Sequence, residues 1–110
     1  MNNYSIDYNN WSKLNIFEQM GNIYVEVSRT FDARMSNNKD REILSIIRAI
    51  DLFNLTAKSL VHKKSIKLKE VLRVKDQYLN NLYSDTFDEN DSKSLEKYLL
   101  QYAIAARINR

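Results

Sequence analysis

The sequence predicts an all-α protein: a four-helix up-down-up-down antiparallel bundle with an irregular N-terminal arm. Three observations carry that prediction. The chain has no proline and one glycine, Gly21, so almost nothing punctuates the backbone at the short intervals a sheet needs. Apolar residues recur at spacings of three and four over long stretches, the period of one helix face. The polar links between those stretches are short, which makes consecutive helices run in opposite directions. At 110 residues a single domain is expected, with the arm over 1–14 and the bundle over 15–110.

The arm is polar, with Tyr4, Ile6, Tyr8 and Trp11 spaced through it as groups able to fold back on the bundle. A strand here would have nothing to pair with. Asn15 followed by Glu18 is a capping-box pattern: the amide oxygen accepts an orphan N–H and the carboxylate reaches back. The first helix therefore runs over about 16–35. Its apolar stripe is Ile16, Met20, Ile23, Tyr24, Val27 and Phe31, extended by Phe17 and Met35. Gly21 and Ser28 lie on the edge of that stripe. A mid-helix glycine costs about 1 kcal/mol against alanine, so its expected use is the close approach of another helix.

SNNKD, residues 36–40, is the first turn, with Asn37 or Asn38 capping the second helix. That helix continues to about residue 61 and is the most apolar segment of the chain. Ile43, Ile46, Ile47, Ile50, Phe53, Ala57, Leu60 and Val61 form one arc, widened by Leu44 and Leu55, and are expected to dominate the core. The following VHKKS contains nothing that forbids helix; only Ser65, as an N-cap, and a lapse of the apolar phase mark a turn. The third helix, about 66–83, is expected to bury Leu68, Val71, Leu72, Tyr78, Leu79 and Leu82. SDTFDENDS is a loop whose acids complement the positive end of the fourth helix. That helix, about 93–108, is expected to bury Leu95, Tyr98, Leu99, Tyr102, Ala103, Ala105 and Ala106, with Arg107 and Arg110 at its negative end.

Seventeen Lys and Arg against 14 Asp and Glu leave a net charge of +3, too small an excess to imply nucleic-acid binding by itself. Without cysteine there is no disulfide and no thiolate metal site. The opening MNNYSIDYNN lacks a basic region followed by an apolar run, and no segment approaches the roughly 20 apolar residues of a membrane helix. A cytoplasmic location with no membrane partner is the expectation.

Three features bear on chemistry. The first is a polar layer within the apolar faces: Asp51, Asn54 and Lys58 on the second helix and Lys75 on the third. Buried charges cost several kcal/mol unless paired, so these groups must pair, reach solvent or bind something. An Asp51–Lys75 ion pair with Asn54 beside it would satisfy all three, with Glu26 and Arg29 at its edge. The plainer account is that Lys58 and Lys75 lay their stems over apolar surface and keep their heads in water.

The second feature is the basic run over 58–75, seven cations and one acid, Glu70. Phosphate binding needs cations on one face, and here the helical wheel scatters them: Lys69 and Arg73 share a face, Lys67 lies away and Lys75 falls on the apolar side. A solvated rim is the simpler reading. The third is a second apolar stripe on the last helix, Leu100, Ile104 and Ile108, opposite its core face. Such a stripe calls for a cover, either the arm with Trp11 or a second copy of the chain across a two-fold axis.

Catalytic patterns are absent from the sequence. The sole histidine, His62, stands among lysines with no acid nearby, so neither a zinc site nor a nucleophile–base pair is visible. One histidine cannot build the paired motifs of a di-iron bundle. Asp85, Asp88 and Asp91 lack the central glycine and closing glutamate of a calcium loop. No arginine stands just before His62 as in helical prokaryotic ribonucleases. No cofactor or metal is implied.

Four phrases, MGNIYVEVSR over 20–29, RAIDLFNLT over 48–56, KLKEVLRVKD over 67–76 and KYLLQYAIAAR over 97–107, together resemble a family of small prokaryotic all-helical proteins with no assigned function. The resemblance spans about 15–110 and departs in the acidic loop. It implies a cytosolic helical domain and brings no reaction with it. Glu26, Arg29, Asp51, Lys67, Glu70 and Arg73, with Tyr98 and Arg107, match its polar positions and are candidates for one shared site.

The leading reading is a non-enzymatic bundle acting through protein contacts and associating with itself as a homodimer. The alternative is a nucleotide- or nucleic-acid-binding domain using Lys67, Lys69, Arg73 and Asp51 with Glu26.

Overall fold

The computed structural model describes residues 7–108, which form five helices and, among those residues, no strand. The helices are α1 (Tyr8–Lys13), α2 (Ile16–Met35), α3 (Lys39–His62), α4 (Leu68–Tyr83) and α5 (Glu89–Ile108). α2 is the central element, packed along α3 on one side and α5 on the other. α4 rests against α3 and α5, and α1 against α3. None of these helices is long and apolar enough to cross a membrane.

The arm is not irregular throughout, as the sequence led us to expect. Asp7 caps a short helix by accepting the Asn9 N–H at 2.9 Å, and Trp11 is buried on α3. Its indole N–H donates to Thr56 Oγ1 at 3.0 Å, while its carbonyl accepts from Gln19 Nε2 at 3.0 Å. A buried indole finds a polar partner in this way. Tyr4 and Ile6 lie outside the described residues.

α2 begins with the capping box its sequence announces. Asn15 Oδ1 accepts from the Glu18 N–H at 2.9 Å, and Glu18 Oε1 accepts from the Asn15 N–H at 3.0 Å. It ends at Asn37, whose φ of 56° is left-handed. The Asn37 N–H bonds the Arg34 carbonyl and the Asn38 N–H the Ala33 carbonyl, the paired bonds of a Schellman ending. Asn38 then caps α3, accepting from the Arg41 N–H. The same ending closes α3, where Lys64 takes a φ of 52° and Ser65 N–H returns to the Leu60 carbonyl at 2.9 Å. A side chain with a β-carbon holds this conformation at a cost of about 1–2 kcal/mol, so the α3–α4 corner is made without any helix-breaking residue.

The isoleucine-rich arc of α3 is the core face only in part: Phe53 and Leu60 are buried and Ile46 and Leu55 pack against the core. Ile43, Ile47 and Val61 are 57%, 52% and 58% exposed. The buried line is Ser45, Ala49, Leu52, Thr56 and Ser59, joined by Phe53 and Leu60. Small residues on the line let α2 come close, and the larger isoleucines overhang to the side. Leu72 on α4 and Met35 and Phe17 on α2 are likewise exposed, contrary to expectation. Ala103, Ala105 and Ala106 are half-buried. α4 starts two residues later than predicted, leaving Ile66 in solvent, and α5 starts four earlier, with Glu89 and Asp91 in its first turn.

Tyr78 lies at the centre of the core, between Phe31 and Phe53, with ring centroids 5.9 and 5.8 Å away. Its hydroxyl shares a 2.8 Å hydrogen bond with Thr30, and burial pushes its pKa far above the ordinary phenol value. At one end Arg34 joins three helices. Its Nε and Nη2 hold Glu42 of α3 at 2.8 Å each, Nη1 donates to the Leu82 carbonyl of α4 at 2.9 Å, and the guanidinium lies over Phe87. A planar fork with five donors suits such a junction; a lysine would not reproduce it.

Candidate functional site

α4 turns a long polar stripe toward α5: Glu70, Arg73, Gln77, Asn80, Asn81 and Ser84 recur at spacings of three and four. The side chains of α5 that meet it include Ser94, Tyr98 and Tyr102. The Tyr98 hydroxyl donates to Glu70 Oε1, and Arg73 Nη2 donates to the same oxygen at 2.5 Å. The Tyr98 and Tyr102 hydroxyls are 3.1 Å apart, and the Arg73 guanidinium lies 5.8 Å from the Tyr98 ring centroid. Hydrogen bonds from Tyr98, then from Arg73, hold the Glu70 carboxyl below its ordinary range, with Lys67 adding to the effect. Burial, followed by the acceptor role of Glu70, raises the Tyr98 phenol well above its usual value.

On either side of this link the two helices stand apart. Two hollows of about 530 Å³ each share Arg73 and Tyr98 as a common wall. One is lined by amides and hydroxyls, Gln77, Asn80, Asn81, Ser84, Thr86 and Ser94, with Asp91. The other carries Lys67, Lys69 and Glu70 beside Tyr102 and Ile66. Among the described residues no three His, Asp or Glu side chains stand close enough to hold a metal ion. The arrangement offers hydrogen bonds and positive charge.

The candidate polar residues do not form one site. Lys67, Glu70 and Arg73 come together with Tyr98 in the α4–α5 groove. Glu26 and Arg29 form an ion pair on α2 at 3.3 Å, Glu26 nearly buried and its Oε1 without a hydrogen-bond partner. Lys75 Nζ donates to Asn54 Oδ1 at 2.9 Å, joining α4 to α3. The Asp51–Lys75 pair that the sequence allows does not form; Asp51 is exposed and Lys75 donates to the Asn54 amide oxygen. Asp51 and Asn54 lie on the outer side of α3, where neither is buried, so no polar layer crosses the core there. Arg107 is exposed near the end of α5.

Leu100, Ile104 and Ile108 are 37%, 48% and 75% exposed. Trp11 does not cover them, since it is spent on α3. Val25 of α2 is also exposed, and Gly21 of the same helix lies against Ala103 of α5. A second uncovered apolar row runs along α3 through Ile43, Ile47 and Val61. Sequence reasoning missed Tyr102, Gln77, Asn80, Asn81 and Ser94 as groove residues. The spacing of the amides from Glu70 and Arg73 was the pattern that could have found them.

No family model matches the chain, and neither curated proteins nor solved structures give a match.

Proposed function

We propose that this protein is a non-catalytic helical bundle of the prokaryotic cytoplasm that acts through protein–protein contact and associates with itself. Its four long helices, α2 to α5, are read as an up-down-up-down antiparallel bundle. Pairings such as Arg34–Glu42, Asn54–Lys75, Tyr98–Glu70 and Gly21–Ala103 support that order, because residue numbers rise on one helix as they fall on the next.

The observation that carries the functional reading is the two sets of apolar side chains exposed among the described residues, one on α3 and one on α5. Large apolar side chains left exposed along one side of a helix mark contact surfaces on a small monomer. Leu100, Ile104 and Ile108 on α5, and Ile43, Ile47 and Val61 on α3, are the two faces available for such contact. A second reading, nucleotide or nucleic-acid binding, draws on Lys67, Lys69 and Arg73 lining the α4–α5 groove. It draws nothing from Asp51 or Glu26, which lie elsewhere, and Glu70 offsets part of the charge.

Sedimentation over a range of concentrations, paired with thermal melting in nucleotides and in polyanions, separates the two. The contact reading expects a dimer whose melting temperature is indifferent to both additives. A monomer stabilised by several degrees on adding either one overturns it.

A further inference from the structure

The outer side of α3 is complementary to itself. Ile47, Asn54 and Val61 are seven residues apart in turn, so they lie on one line of the helix at intervals of about 10.5 Å. All three are exposed. Asp51 and Lys58, also seven apart and exposed, border the line on one flank. Asp51 enters none of the ion pairs among the described residues. Lys58 rests its ammonium 4.2 Å from the Tyr8 ring centroid, a contact that uses its charge and leaves its donors.

A two-fold axis across the helix at Asn54–Leu55 reverses height and keeps each residue on its own flank. Ile47 then meets Val61 of the second copy, and Asp51 meets Lys58 of the second copy, each twice. Exposed Leu72 and Tyr83 of α4 widen the apolar area on the other flank, where the Lys75–Asn54 hydrogen bond fixes α4 at the level of the axis. The α5 row lacks this property. Beside it Lys93 is already paired with Glu89 at 3.3 Å, and Lys97 and Arg107 are cations with no acid placed to meet them on reversal.

We infer that two copies of this chain pair through antiparallel α3 helices, with Ile47 against Val61 and Asp51 against Lys58. The inference rests on the self-association reading above and names its face. α5 then remains uncovered in the dimer.

Sedimentation of the wild type, Ile47→Glu, Asp51→Lys, Lys58→Asp and the double reversal Asp51→Lys/Lys58→Asp tests it, with circular dichroism recording that each variant is helical. The wild type should be a dimer. Ile47→Glu and each single reversal should raise the dissociation constant about tenfold or more, and the double reversal should restore pairing. A wild-type dimer indifferent to all four changes, or one dissociated only by Ile104→Lys, overturns the α3 assignment and leaves self-association standing. A monomeric wild type removes both.

Discussion

The two flanks of α5 are built on opposite plans. Toward α2 the helices touch through small residues: a β-carbon placed on Gly21 would lie 3.1 Å from the Ala103 Cα. Toward α4 the space is bridged by Tyr98, Glu70 and Arg73, with hollows above and below. Close packing fixes the position of α5, because dispersion falls steeply with separation and a tight seam tolerates no added atoms. Bridging by long polar side chains fixes it loosely, since each net hydrogen bond contributes only about 1 kcal/mol. The same helix thus has one rigid flank and one that can yield.

That contrast is open to direct tests, the strongest being at the glycine. Gly21→Leu should cost about 1–3 kcal/mol or more, because the added atoms meet the Ala103 backbone and the seam must open. Denaturant unfolding reads that loss, and a neutral result would remove the distinction between the flanks. Tyr98→Phe should cost about 1–2 kcal/mol in the same measurement, because it removes the hydroxyl's bonds to Glu70 and Tyr102 on the looser side.

The pH dependence of that second variant sharpens the point. Glu70 has a folded pKa below its ordinary value of 4.5, so its link contributes stability above that value and loses it as pH falls through the lowered pKa. The stability gap between wild type and Tyr98→Phe should be constant near neutrality and narrow as pH falls below 4.5 and through the lowered Glu70 pKa. Smallest of all, Asn80→Ala and Asn81→Ala in the open groove should change stability by no more than about 0.5 kcal/mol. Large losses there would mean the hollow is a packed seam after all.

Much of the helical outline was legible. Asn15 with Glu18, and the Asn37–Asn38 pair, state their caps in local chemistry, and α2 and α3 lie close to where those caps place them. α1 was not legible, because its order comes from Trp11 reaching Thr56, 45 residues away. The phase of α3 was misread for a physical reason. Periodicity finds the greasiest side of a helix, whereas the deepest side here is Ser45, Ala49, Thr56 and Ser59, small enough for α2 to come near. The candidate site suffered similarly. Spacing placed Lys69 and Arg73 on one face and the resemblance grouped Glu70 with them, but no pattern within a single helix could show that Asp51 and Glu26 would face elsewhere.

Lys64 carries a consequence for how the molecule comes together. It sits at the corner between α3 and α4, in a backbone conformation that favours glycine, within a segment whose own preferences run on through the corner as helix. The corner is therefore a property of the assembled molecule and not of the segment. α3 and α4 must already lie against each other, through Phe53 with Tyr78 and Asn54 with Lys75, before the bend between them repays its strain.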